Sequence, residues 1–308
     1  MLQTTIQKTV SCKGVGLHSG KQVEIVLRPA AEDTGILFSL HTGAGNSFIT
    51  PNPDLVVATG LATTIGNGKD SVSTVEHLLA TVRGMGIDNI HVEVRGNELP
   101  IMDGSAGPFV YLLRQAEVRK LSKPRKVLAV TKSLNFEQDG KFIRAYPYDG
   151  FSIDYTIEFD HPQIGRQSLS LEITPDVFAD HLAKARTFGF LKEVEYLHAN
   201  GLALGGSLDN AVVLDDYSIL NEDGLRFADE FVRHKILDFI GDMAVMEIPL
   251  QGRFEIFASG HALNNSFLRY LYANAEDYLE ERVLEPLYDN VAQKEHAPAF
   301  PEVVSVPV

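Results

Sequence analysis

The 308-residue chain has a single cysteine, Cys12, and no tryptophan. One thiol excludes an intramolecular disulfide framework and any zinc site built from several cysteines. Basic residues are in deficit: 27 Lys and Arg against 41 Asp and Glu leave a net charge of −14. Such a surface repels nucleic-acid phosphate, which argues against a nucleic-acid partner. No run approaches the 18 or so apolar residues of a membrane span. The start, MLQTTIQKTV, has no charged segment leading into an apolar run and does not read as a signal peptide. These absences set the expectation of a soluble, cytoplasmic protein, and a monomer is expected alongside. What is present is ordinary for a globular protein: 44% hydrophobic and 22% charged residues, in a length that suits one large domain or two of average size.

Residues 1–58 read as β-rich. Val23, Ile25 and Leu27 alternate with Gln22, Glu24 and Val26 until Pro29 stops the run, after a turn-rich loop at Gly14–Gly20. A helix is expected over 73–83 from Val75, Leu78, Leu79 and Val82, with Ser73 or Thr74 as cap and Gly84 at its end. A strand follows over 88–94, then a Gly/Pro-rich loop over 97–108 and a helix over 109–116. The basic, aperiodic stretch 119–126, containing Pro124, reads as the linker between two domains. Strand patterns resume at 127–130, 151–159 and 169–173, and a helical stretch begins over 175–183. Gly140-Lys141 opens a segment that closes on Pro147, as Gly20-Lys21 opens one that closes on Pro29, a weak sign of duplication. Strands precede helices in both halves, which predicts an α+β fold rather than a parallel βαβ sheet. The expected division is 1–120, 127–285 and a tail over 286–308.

The richest stretch is Asp229–Met243. Val232, Ile236, Phe239, Ile240 and Met243 recur at helical spacing and make one apolar face. His234, Asp238 and Asp242 follow one another at four-residue steps, forming a near-straight column on the other side. Phe231 and Leu237 flank that column where a solvated face would carry Lys and Glu, so it is expected to face a partly closed cleft. A His and an Asp one turn apart can grip one metal ion. His77, on the earlier helix beside Glu76, would complete a set of two imidazoles and one carboxylate with a fourth position open, the pattern of hydrolytic zinc sites. The competing reading is a surface ion pair with a spare Asp and a packed His77. No His-Glu-x-x-His is present, so the two halves must meet to assemble such a site.

Five motifs occur in order: Thr74-Val-Glu-His-Leu-Leu-Ala80, Met102-Asp-Gly-Ser-Ala106, Arg186-Thr-Phe-Gly-Phe190, Phe231-Val-Arg-His-Lys-Ile-Leu-Asp238 and Ser259-Gly-His-Ala-Leu-Asn-Asn265. Together they closely resemble the zinc-dependent UDP-3-O-acyl-N-acetylglucosamine deacetylases of lipid A biosynthesis, over about residues 2–272. The chain lacks the length for the fused dehydratase domain of some members, so a stand-alone enzyme is expected. The resemblance implies two α+β domains of similar topology, each a sheet with a helix layer, the helix layers packed face to face. It implies one Zn2+ per chain, with Fe2+ as the alternative ion, held by His77, His234 and Asp238. It assigns Glu76 as general base and His261 as the protonated partner that stabilises the oxyanion and protonates the departing amine. Asp242 would keep His261 charged, and the Thr187 hydroxyl would help hold the oxyanion. Without the family, Glu76 reads as a surface residue, His261 as a turn cap, Asp242 as an arginine partner and Thr187 as an N-cap.

The implied substrate has an acetamido sugar, a long acyl chain and a nucleotide diphosphate. The family's acyl passage falls on 188–206, where Leu191, Val194, Leu197, Leu202 and Ala203 would supply apolar wall; ordinary helix core is the alternative. Lys235 and His18 are candidates for the sugar or diphosphate, and Phe159 for the uracil. Many members carry Lys three residues before the Ser-Gly-His histidine. Ala258 stands there in this chain, so a cation on the diphosphate is missing or comes from elsewhere.

Overall fold

The computed structural model describes residues 1–42 and 45–284. The stretch expected to be a tail, 286–308, lies outside the described residues, as does the expected domain end at residue 285.

Two sheets share one plan. In the first, Val10–Val15 (β1) pairs antiparallel with Gln22–Pro29 (β2), and β2 with Ile90–Arg95 (β5). β5 runs parallel to Ile36–Thr42 (β3), which pairs antiparallel with Gly45–Ile49 (β4). In the second, Leu134–Gln138 (β6) pairs antiparallel with Lys141–Tyr146 (β7), and β7 with Leu250–Phe257 (β10). β10 runs parallel to Phe151–Phe159 (β8), which pairs antiparallel with Gly165–Glu172 (β9). The orders β1-β2-β5-β3-β4 and β6-β7-β10-β8-β9 match strand for strand and direction for direction. The duplication hinted at by the two Gly-Lys openings, which stand just before or at the start of β2 and β7, therefore holds at the level of topology. In β2, Val23, Ile25 and Leu27 are buried while Gln22 and Arg28 are exposed, the period of two that a sheet with one buried face requires.

The helices repeat as well. Glu76–Gly84 (α1) precedes β5 and Gly107–Ala116 (α2) follows it; Glu230–Met243 (α3) precedes β10 and His261–Ala273 (α4) follows it. α1 packs against α3, and α3 against α4, so the two helix layers meet between the sheets. The apolar stripe Val232, Ile236, Phe239, Ile240 and Met243 is buried, each side chain contributing about 1.5–3 kcal/mol. The column on the other side of α3 is buried too, so this helix is covered nearly all round. Gly241 sets the closest approach. A Cβ there would collide with the Glu76 carbonyl of α1, so only glycine lets the helices cross this tightly.

Two local expectations need correction. The basic stretch read as an aperiodic linker is mostly strand: Val118–Pro124 pairs antiparallel with Leu2–Ile6. Its exposed Lys and Arg suit an open sheet edge, which is why no burial period showed. Neither Ser73 nor Thr74 caps α1, whose N-cap is Val75 with no side-chain bond. Thr74 lies at φ +59 and turns its hydroxyl to Glu98 at 3.2 Å. The alternative of ordinary core for helix 191–199 does not hold, since that helix is largely exposed. No described helix is long and apolar enough to cross a membrane.

Candidate metal centre

His77 enters from the first turn of α1, and His234 and Asp238 from successive turns of α3. One ligand atom from each lies within 4.8 Å of the others. His234 Nε2 is 3.3 Å and His77 Nε2 3.8 Å from Asp238 Oδ1, and the two rings stand edge to face with centroids 5.1 Å apart. The His234 Nδ1–H donates to the Ala185 carbonyl at 3.1 Å, which fixes the tautomer and leaves the Nε2 lone pair facing the cluster.

Burial, with His234 alongside, drives the His77 imidazolium down to about 3. Burial lowers His234 as well, against the pull of Asp238. Both rings are therefore neutral, and their approach to Asp238 is not an ion pair. Burial alone would raise the Asp238 carboxyl, but the charged Lys235 and His261 hold it well below the usual carboxylate range. Asp238 Oδ1 is buried with no hydrogen-bond partner among the described residues. Two neutral imidazoles and an orphaned carboxylate oxygen facing one point are what a divalent cation requires, since its ligands must be deprotonated. The residues fit a metal.

A second cluster adjoins the first. Asp242 Oδ2 accepts from His261 Nδ1 at 2.8 Å and from Asn264 Nδ2 at 2.7 Å; Asp242 Oδ1 accepts from the Thr63 hydroxyl at 2.6 Å. Burial opposes the charge on His261, but Asp242, by its charge and its hydrogen bond, lifts the imidazole to about 9. Glu76 is buried and accepts from the Thr63 main-chain N–H at 2.9 Å. Burial pushes its carboxyl up to about 7; His261 opposes the shift, and Asp238 and Asp242 add to it. The site thus brings a buried carboxyl shifted up to about 7 and an imidazole shifted up to about 9 beside three atoms that could hold a metal ion.

A family profile described as UDP-3-O-acyl N-acetylglycosamine deacetylase matches residues 3–273. The chain belongs to this deacetylase family. Proteins named UDP-3-O-acyl-N-acetylglucosamine deacetylase are similar to it along nearly their whole length. That of Oleidesulfovibrio alaskensis is 62% identical over 297 residues, 96% of each chain. That of Nitratidesulfovibrio vulgaris is 64% identical over 280 residues, 91% of each. That of Lawsonia intracellularis is 52% identical over 294 residues, 94% of this chain and 96% of the relative.

Within this deacetylase fold the other motifs hold the site in shape. Glu230 is wholly buried and pairs with Arg186 through Nε–Oε1 at 2.9 Å and Nη2–Oε2 at 3.1 Å. It also accepts the main-chain N–H of Arg186 at 2.9 Å and of Arg226 at 2.6 Å. That clamp fixes the segment whose Ala185 carbonyl orients His234. Glu230→Ala leaves a buried guanidinium unpaired, so a loss of about 3–5 kcal/mol in folding stability is expected. Urea unfolding measures it; a loss under about 1 kcal/mol would show that the clamp is dispensable. In the Met102–Ala106 motif, Asp103 accepts from Ser105 Oγ at 2.8 Å and Arg226 Nη1 at 2.9 Å. The Gly104 carbonyl accepts from the Thr187 N–H at 2.8 Å, tying that threonine to the first half.

Lys235 is turned inward, its Nζ 3.1 Å from Asp238 Oδ2. Half-buried His18 has both ring nitrogens without a partner among the described residues, and its carbonyl accepts from Leu204 N–H at 3.3 Å. Phe159 is half-buried against Phe188 and Phe190, with centroids 5.7 and 6.1 Å away. Leu191 and Leu202 are exposed, Val194 and Leu197 half-buried, and Ala203 buried. Ala258 sits in the left-handed region at φ +50, between β10 and α4. Sequence reasoning missed Thr63, Asn264 and the Glu230 clamp. Asn264 was findable, since it stands three residues after His261 on one helix face. Thr63 had no local signal.

Proposed function

We propose that the chain hydrolyses the N-acetyl group of a UDP-3-O-acyl-N-acetylglucosamine, using Zn2+ held by His77, His234 and Asp238, in the lipid A branch of lipid biosynthesis. The observation that carries this reading is the junction of two neutral imidazoles and an unpartnered Asp238 oxygen with a Glu76 base and a charged His261. When bound there, zinc supplies Lewis-acid polarisation of a water and of the acetamide carbonyl. Glu76 accepts a proton as that water adds to the carbonyl carbon. The His261 imidazolium lies where negative charge builds on the carbonyl oxygen, with the Thr187 hydroxyl as a further donor. His261 then gives its proton to the nitrogen as the C–N bond breaks, releasing acetate and a free amine. Asp242 orients the ring throughout. Chelation should remove activity and one metal equivalent together, with elemental analysis distinguishing zinc from iron; activity that survives complete metal removal would overturn the reading. The chain is read as a cytoplasmic monomer.

For the acyl chain we propose a path along Leu191, Val194, Leu197, Leu202 and Ala203, with His18, Lys235 and Phe159 serving the sugar nucleotide. Exposure of Leu191, Leu202, Leu204 and Leu208 within one segment supports it. At about 0.8 kcal/mol per buried CH2, a long chain gains much of its affinity there. Ala203 is strained at φ +53, so Leu191→Asn with Leu202→Asn is the cleaner test. KM for long-acyl substrate is expected to rise at least about tenfold more than KM for UDP-N-acetylglucosamine without the chain. Equal changes would place the path elsewhere.

A further inference from the structure

We propose that Thr63 is the positioning residue that sets the acid and the base of the reaction relative to each other. It lies between two short strands, Val56–Ala58 and Thr64–Gly66, far in sequence from every residue it holds except those at the start of α1. It is 3% exposed, although its neighbour Leu61 is 46% exposed. Its three polar groups are all committed. The hydroxyl donates to Asp242 Oδ1 at 2.6 Å and lies 3.5 Å from His261 Nδ1. The main-chain N–H donates to Glu76 Oε2 at 2.9 Å. The carbonyl accepts from the Val75 N–H at 3.2 Å.

The hydroxyl and the main-chain N–H each constrain a different member of the pair. Asp242 Oδ2 is shared by His261 and Asn264, so it alone would leave the carboxylate free to pivot about that atom. The Thr63 hydroxyl on Oδ1 fixes the carboxylate plane, and through it the plane of the His261 ring. A carboxylate only accepts, so the hydroxyl proton points at Asp242. The N–H of the same residue holds one oxygen of Glu76, leaving the other for a proton from water. One residue of the first half thus carries the reference point for a base on α1 and an acid on α4. Removing the hydroxyl leaves Asp242 Oδ1 a buried, unpaired acceptor, which is costly because it bears charge.

The inference rests on Glu76 and His261 acting as proposed above. Thr63→Val keeps the shape and every main-chain bond and deletes only the hydroxyl; Thr63→Ser restores it. With UDP-3-O-acyl-N-acetylglucosamine as substrate, the valine variant is expected to lose about tenfold to a hundredfold in kcat, with KM within about twofold and metal content unchanged. The serine variant is expected to stay within about threefold of the parent. Because Thr63 acts through Asp242, adding Thr63→Val to Asp242→Asn should change kcat by less than about twofold, a non-additivity that a general loss of structure would not give. Should the valine variant fail to fold, Thr63→Ala is read against serine in the same way. Unchanged kcat in the valine variant, serine as impaired as valine, or losses that multiply with Asp242→Asn would each overturn the proposal. His261→Gln measured alongside separates the two levels: a full rate in that variant sinks the acid–base reading itself, whereas a full rate in Thr63→Val alone sinks only this one.

Discussion

His77→Ala is expected to bring metal content from one equivalent per chain to near zero and to abolish turnover. The variant removes one of three donors that converge within 4.8 Å, and two remaining ligands on one helix do not make a site of useful affinity at neutral pH. Asp238→Asn should do the same and more. It removes the anionic ligand, and it strands the Lys235 ammonium, whose Nζ lies 3.1 Å from Asp238 Oδ2 with the lysine side chain only 14% exposed. Asp238 holds that ammonium above its ordinary range despite burial, which opposes it. Losing one partner of a buried charge pair costs about 3–5 kcal/mol, so this variant, and not His77→Ala, should also unfold at markedly lower urea. Binding linkage gives an independent readout. Zinc at a hundredfold excess over its Kd should stabilise the parent by about 2.7 kcal/mol and stabilise neither variant. Full metal content in either one would refute this ligand set.

The contrast between those two residues shows where the sequence was legible. The His234–Asp238–Asp242 column could be read because all three sit on one long helix, where a four-residue step maps directly onto a face. Its flanking Phe231 and Leu237 signalled burial, and both are fully buried. The strand at 151–159 was readable for the matching reason, as its alternation coincides with one buried face. The strand at 118–124 was not, since an edge strand with both faces open has no burial period to show. His77 could be placed on a helix, but its meeting with His234 depends on Gly241, whose missing side chain lets α1 and α3 close up. Nothing local distinguishes that glycine from any other. Thr63 and Glu230 were invisible for a further reason: each acts through a partner in a distant part of the chain, 179 positions away for Thr63 and Asp242 and 44 for Glu230 and Arg186. Local periodicity carries no record of such pairings. The five-motif resemblance reached the family because it is a pattern of order, which survives even where no single motif declares its contacts.

Activity is expected to follow a bell-shaped pH profile with separable limbs. As the proposed base, Glu76 accepts a proton only when ionised. Burial lifts its carboxyl to about 7, and a bound cation favours the ionised form, so the acidic limb of the metal-loaded enzyme should fall below that value. As the proposed acid, His261 works only when protonated. Asp242 sustains that form up to about 9 against the effect of burial, so activity should fall as pH rises through that region. The signs are fixed by the roles: rate rises as Glu76 loses its proton and drops as His261 loses its own. The groups interact, so the limbs of the parent are macroscopic and belong to the pair. Mutation separates them. Glu76→Gln should mainly erase the acidic limb and His261→Gln the basic one, each costing roughly 10²- to 10⁴-fold in rate with metal retained. Combined, the losses should fall short of their product, because both groups serve one transition state. A His261→Gln enzyme that kept both its rate and its basic limb would move the acid to another residue, while the three-ligand metal site would stand on its own evidence.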